Sequence, residues 1–246
     1  MKKLALVTLM VAGCFGSKMV CWADSFSDNF KSNLNTESLN ALAKDVGGLV
    51  GAGADHTGKN LGFVPIGFDV GVNAVAVGVS NTDAILRDNG STVSAVWGQG
   101  ELGLPLRLGL IVRGGKVDTA TMIGGGLRWT VLSMDAPFLP SLSIEGLYGR
   151  TTQQMFDMDT YTGNAVLSFN VPFVHPYIAG GYDYSNLNPT SAALEGSPDQ
   201  SVTGSGDSLR VEAGVNLSII PFTYITLGIG QSNGEKMYHG GLGVNF

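Results

Sequence analysis

The chain has 246 residues, of which 44% are apolar and only 14% charged, against about 25% charged in an ordinary soluble domain. A formal net charge of −6 with scattered cations excludes a nucleic-acid binder, which needs clustered Lys and Arg to displace counterions from phosphates. The length suits one sizeable domain, and with 36 glycines the composition is a poor recipe for a surface that faces water.

Lys2 and Lys3 precede an apolar run over 4–15, and small residues follow to Ala23. This is the layout of a signal peptide over 1–23, and cleavage after Ala23 leaves a mature chain without cysteine, since Cys14 and Cys21 lie upstream. No disulfide framework is then available. Val11-Ala12-Gly13-Cys14 also resembles a lipobox, the alternative in which Cys14 is acylated and becomes the N-terminus. Beyond residue 23 no stretch approaches the ~18 consecutive apolar residues of a spanning helix.

Residues 24–62 form the next segment. Phe26, Phe30 and Leu34, then Leu39, Leu42, Val46, Leu49 and Val50, recur at helical spacing, with Asn35 or Thr36 able to cap a start between them. The pattern predicts one or two amphipathic helices. Gly47, Gly48, Gly51 and Gly53 should then erode helix propensity.

From residue 63 to the end the period changes to two, that of strands with unlike faces. Over 104–113 the even positions are Leu104, Leu106, Leu108, Leu110 and Val112, and the odd ones include Arg107, Gly109 and Arg113. Over 208–219 Leu209, Val211, Ala213, Val215, Leu217 and Ile219 alternate with Arg210, Glu212, Gly214, Asn216 and Ser218. Comparable rows occur around Val70, Leu127, Ile144, Leu167 and Leu227, giving about ten strands near the ~10-residue length of a tilted membrane strand. Pro137-Phe138, Pro172-Phe173 and Pro221-Phe222 mark short turns that should share one side, and polar links such as 186–206 should face the other. A soluble sandwich would fill its second face with Lys, Glu and Asp. Here that face carries Gly, Ser and Asn with occasional charge, which suits a narrow polar lumen.

The last strand sets Tyr238, Leu242, Val244 and a terminal Phe246 on one face. It resembles the closing strand of bacterial outer-membrane β-barrels, in which alternating apolar positions end in an aromatic residue. The resemblance implies an all-β, antiparallel, up-and-down transmembrane barrel in a Gram-negative outer membrane, with lipid and the barrel-assembly machinery as partners. It covers the superfamily and no single protein.

Asp69, Arg107, Arg113, Arg128, Glu145, Arg210 and Glu212 fall on the predicted inward face. A turn centred between Ala136 and Pro137 sets Arg128 opposite Glu145, a cross-strand ion pair that either braces the ring or forms a selectivity element. Ten strands lined by glycine should leave a cavity. The segment 26–50 is expected to enter it from the periplasmic mouth as a plug through Phe26, Phe30, Leu39, Leu42, Val46 and Leu49, an arrangement loosely similar to small porin-like and fatty-acid-transporter barrels. His56, His175 and His239 are dispersed, with His239 beside Ser232 or Asp183 the one pairing fit for catalysis, and no metal-ligand spacing occurs. The expected function is therefore non-enzymatic and needs no cofactor. It is a passive channel or transporter for small, hydrophobic molecules, or alternatively an adhesive barrel displaying 186–206.

Overall fold

The computed structural model describes residues 23–53, 56–62, 67–87, 91–117, 119–133, 138–196 and 201–246. Residues 1–22 of the expected signal peptide, with Cys14 and Cys21, and the expected turn centre at Ala136 and Pro137 lie outside these residues.

Ten strands close on themselves: β1 (Phe68–Gly78), β2 (Thr92–Leu104), β3 (Leu108–Val117), β4 (Ala120–Leu132), β5 (Pro140–Thr152), β6 (Phe156–Phe169), β7 (Val174–Pro189), β8 (Gly204–Leu217), β9 (Thr223–Ser232) and β10 (Glu235–Asn245). Each pairs antiparallel with its sequence neighbours, and β1 pairs with β10 to complete the ring. Closure satisfies the backbone groups that an open sheet edge would expose. At the seam Phe68 and Phe246 exchange both backbone hydrogen bonds at 2.9 and 3.0 Å, and Phe246 stacks on Phe68 and Phe222.

The period-two pattern maps onto the ring's two surfaces. Val70, Val112, Ile123, Leu127, Ile144, Ile178, Val211 and Leu227 are exposed on the outside, whereas Arg128, Glu145, Arg210 and Glu212 are buried within. Exposed aromatics gather in two belts. Phe138, Phe173 and Phe222 mark the short-turn end, where both barrel termini also lie, and Tyr148, Tyr161, Tyr184 and Tyr238 mark the other. On β6, Phe169 and Tyr161 stand eight residues apart, about 27 Å along a strand and about 20 Å along the axis at a ~40° tilt. That approaches the ~25 Å apolar band of an outer-membrane barrel. Short turns belong to the periplasmic side and longer loops to the outside, which orients the ring.

Leu104 to Leu108 differs from the expected continuous strand. Pro105–Arg107 is a tight turn, Leu104 pairs with Leu108 across it, and Leu106 and Arg107 both adopt φ +62. Proline cannot donate to a ladder, so the alternation of 104–113 is cut after its first residue. Phe138, Phe173 and Phe222 also take left-handed φ values of 64 to 66, a conformation costing a side chain roughly 1–2 kcal/mol. The aromatic at each such turn is placed where interfacial burial offsets that cost.

Two helices precede the ring, α1 (Ala23–Ser32) and α2 (Thr36–Gly51). Asn35 begins α2 by accepting a hydrogen bond from the Ser38 amide, the ordinary service of an N-cap. Among the described residues no helix is long and apolar enough to cross a membrane. Contrary to the expected erosion, α2 runs through Gly47 and Gly48 to Gly51. The reason is proximity: Gly47 abuts Ser185, Gly48 abuts Ser208 and Ser232, and Gly51 abuts Asp183 and Arg210, all inward-facing groups of β7, β8 and β9. The opposite face, with Leu39, Leu42, Val46 and Leu49, joins one apolar cluster with Val75, Val93, Trp97, Met122, Met158 and Met237 from the other wall. Both faces of the amphipathic helix are thus buried, one against serine and the other against hydrocarbon.

Candidate functional site

Inward side chains divide the lumen into two zones. The half near the long loops carries the apolar cluster, closed over by α1, α3 (Ala84–Arg87) and α4 (Ser191–Leu194). The periplasmic half is crossed by buried polar and charged groups.

Arg128 is the centre of the second zone and is 1% exposed. It is the register partner of Glu145, donates from Nε to Glu145 Oε1 at 2.5 Å, and sets Nη1 2.9 Å from Glu101 Oε2. Arg210 donates from Nε to Asp183 Oδ2 at 2.6 Å and from Nη2 to Asn164 Oδ1 at 2.8 Å. Asp183 also accepts from Thr162 at 2.6 Å. Two guanidiniums therefore tie β2, β4, β5, β6, β7 and β8 across the interior. A planar fork suits this better than an ammonium, because it directs several donors at fixed angles.

Arg113 serves the helix. It donates to the Ala52 carbonyl at 3.1 Å, its guanidinium lies 4.3 Å from the Trp97 ring centre, and Arg210 approaches Gly51 from the other wall. Two cations thus meet the C-terminal end of α2, where the aligned carbonyls carry partial negative charge.

The imidazoles are better placed than their sequence spacing suggests. His56 Nε2 is 3.2 Å from Asp69 Oδ2 and its ring stacks on Tyr224 at 4.5 Å, while the Tyr224 hydroxyl donates to Asp69 Oδ1 at 2.8 Å. His239 Nε2 meets the Tyr177 hydroxyl at 2.7 Å and lies 3.7 Å from Glu212. The proposed partners of His239 are engaged elsewhere: Asp183 holds Arg210, and Ser232 shares a hydrogen bond with Ser208. Arg107 also departs from expectation, since it is exposed in the β2–β3 turn and outside the lumen. Glu101 and Asn164 belong to the network but were not among the sequence candidates, and Asp183, expected only as a partner of His239, belongs to it through Arg210. The alternation of 92–104 could have found Glu101, because its neighbours Leu102 and Leu104 already mark the outward row.

Inward glycines make room for these groups. Tyr177 lies over Gly214 and His239 over Gly228, so a bulky side chain lies flat along the wall where its cross-strand partner has none.

At the outer rim Asp83 is fully buried and its Oδ1 accepts from the Ile85 and Leu86 amides, capping α3. Burial pushes its carboxyl up to about 7, aided by Asp45, while the Leu86 and Ile85 amides pull it back. An unfolded Asp titrates near 4, so between about pH 4 and 7 the folded chain holds a proton that the unfolded chain releases. The contribution is fully present below pH 4 and is lost as pH rises toward 7. Thermal unfolding should therefore move to lower temperature across that window. Asp83→Asn, which keeps the capping oxygen, should flatten the dependence, and an equally steep profile in that variant would assign it elsewhere.

A closed ring with hydrocarbon outside and charge inside has the build of an outer-membrane β-barrel, the only sheet form that leaves no backbone group unpaired in lipid. No family model and no curated protein matches the chain. Solved structures with distant likeness include the N-terminal β-barrel domain of OprF from Pseudomonas aeruginosa, with 13% identity, 72% of this chain and 97% of that one covered, and a TM-score of 0.35. Another is Ail, the attachment invasion locus protein of Yersinia pestis, with 16% identity, 74% and 97% covered, and a TM-score of 0.33. A third is the outer membrane protease OmpT of Escherichia coli, with 8% identity, 74% and 96% covered, and a TM-score of 0.34. The chain's own two surfaces, hydrocarbon on the outside and a lumen crossed by buried charge, give it the build of a membrane-spanning β-barrel.

Proposed function

We propose that this barrel passes small amphiphilic molecules through a lumen that its N-terminal helix stoppers at rest, and that it does so without a catalytic step. The two-zone lumen carries the reading. Its outer half presents an apolar wall of Val75, Val93, Trp97, Met122, Met158 and Met237, and its periplasmic half presents the Arg128 and Arg210 networks. Removing α2 would uncover a hydrocarbon surface leading to a charged belt, complementary to a molecule with an apolar body and a polar head. A small cleft at the outer rim, lined by Phe26, Leu42, Val46, Leu86, Val93 and Phe156, gives such a molecule a first foothold against the stopper. The long 186–206 loop favours this over display: Asn186 to Pro189 and Gly204 to Gly206 extend strands, and Ala193 and Val202 are buried in the outer cluster. In this reading the outward row of Tyr238, Leu242, Val244 and Phe246 guides insertion by the assembly machinery.

Liposomes holding the full chain should resist entry of both a fluorescent amphiphile and a sugar of similar size. Liposomes holding a chain without residues 24–53 should admit the amphiphile at least tenfold faster than the sugar. Equal rates would refute the amphiphile preference. Unchanged impermeability of a correctly closed truncated ring would refute the transport reading.

A further inference from the structure

The segment before β1 does more than occupy the lumen, because its contacts descend in chain order from one mouth to the other. Phe30 stacks on Phe156, the first residue of β6 on the long-loop side, with ring centres 6.0 Å apart. Asn40 Oδ1 accepts from the Ser205 amide at 2.7 Å, next to the outer start of β8. Asp45 Oδ2 accepts from the Ser80 amide at 2.8 Å, just beyond the outer end of β1. Gly51 then lies against Asp183 and Arg210 in mid-barrel.

Past α2 the descent continues. His56 reaches Asp69 near the periplasmic start of β1. The Gly58 amide donates to Ser168 Oγ at 2.9 Å, one residue from the periplasmic end of β6, and Lys59 Nζ donates to Asn170 Oδ1 at 2.6 Å just beyond it. On β6 alone, Phe30 and Gly58 touch positions 12 residues apart, about 40 Å along the strand and about 30 Å along the axis at ~40° tilt. That is the full thickness of the ring.

We infer that the chain threads its own barrel from outside to inside, so that the N-terminal end of α1 stands at the cell surface beside the long loops and, among the described residues before β1, those from Lys59 onward reach the periplasmic mouth. The inference rests on the placement in the outer membrane and is independent of transport. It has a consequence for assembly: a segment synthesised first must be drawn across the membrane before β1 and β10 close, because α1 packs against α3 and α4 on the far side of the finished ring. It also gives the outer cap its role. With Phe26, Phe30 and Phe156 in mutual contact, α1 anchors the far end of the thread and keeps α2 from sliding back.

Three epitope insertions in the full chain, each in a separate strain, test the threading: between Asp24 and Ser25, between Glu195 and Gly196, and after Gly62. Antibody binding is compared in intact and permeabilised cells. The first two should label intact cells as strongly as permeabilised ones, and the third should label only after permeabilisation. Labelling of the 195 site without the 24 site overturns threading while leaving the membrane placement intact. Labelling of the Gly62 site alone in intact cells overturns the surface assignment, and a soluble product labelled at no site overturns the membrane placement itself. Without any insertion, Lys31→Cys, an exposed position of α1, in a chain also carrying Cys14→Ser and Cys21→Ser, should react with a membrane-impermeant maleimide in intact cells. A folded ring left unlabelled at that position contradicts the inference.

Discussion

Leucine at both Gly48 and Gly51 should unseat α2 and turn a closed ring into a conducting one. An added Cβ at Gly48 would lie 2.6 Å from Ser208 Oγ and 3.3 Å from Ser208 Cβ, and one at Gly51 would lie 2.7 Å from Asp183 Cγ. Larger branches have nowhere to go, because the opposite face of the helix is already packed against the apolar wall. Overpacking of this kind costs about 1–3 kcal/mol per site. Helix propensity acts in the opposite direction, since leucine favours a helix over glycine by close to 1 kcal/mol, so a loss can come only from the close approach to the serine wall. In planar bilayers the wild-type chain should show background current, and the double variant should show discrete openings. A variant that stays silent and keeps α2 protected from proteolysis would mean that the helix tolerates a wider separation from β7, β8 and β9.

Arg128→Met should be the most destabilising single change in the ring. The substitution conserves much of the volume but leaves Glu101 and Glu145 buried without the cation between them. Breaking a buried pair by removing one partner costs about 3–5 kcal/mol, because the remaining charge is stranded. Urea unfolding in detergent micelles should register that loss. Adding Glu101→Gln and Glu145→Gln to the same chain should recover most of it, as the stranded carboxylates disappear. If Arg128→Met unfolds like the parent yet alters the ion preference of the unplugged barrel, the group works as a selectivity element and not as a brace.

How much of this could be read before folding depends on the range of the interactions involved. Alternation is local, so the outward rows around Val70, Leu127, Val211 and Leu227 follow from residues two apart, and Arg128 meets Glu145 as the hairpin count expects, although a register shift between Thr130 and Leu132 had no signal in the spacing. Pro105 is equally local, yet the leucines at 104, 106 and 108 hid the turn by continuing the apolar rhythm through it. The lumen network is of another kind. His56 with Asp69 and Tyr224, Arg128 with Glu101, and Tyr177 with His239 join residues brought together only when the ring closes. Spacing along the chain holds no trace of them. The glycines of α2 were legible as helix-weakening residues and not as a contact face, because the serines that explain them lie more than 130 residues away.

The bulky rows contact lipid while the interior is shielded from it, and the two described tryptophans report on each surface. Trp129 is 48% exposed on the outside, and Trp97 is 1% exposed inside. In vesicles of phospholipid brominated along the acyl chains, a chain carrying Trp22→Phe and Trp97→Phe should lose most of its fluorescence. A chain carrying Trp22→Phe and Trp129→Phe should keep nearly all of it. Equal quenching of the two, or quenching of Trp97 alone, would contradict the account.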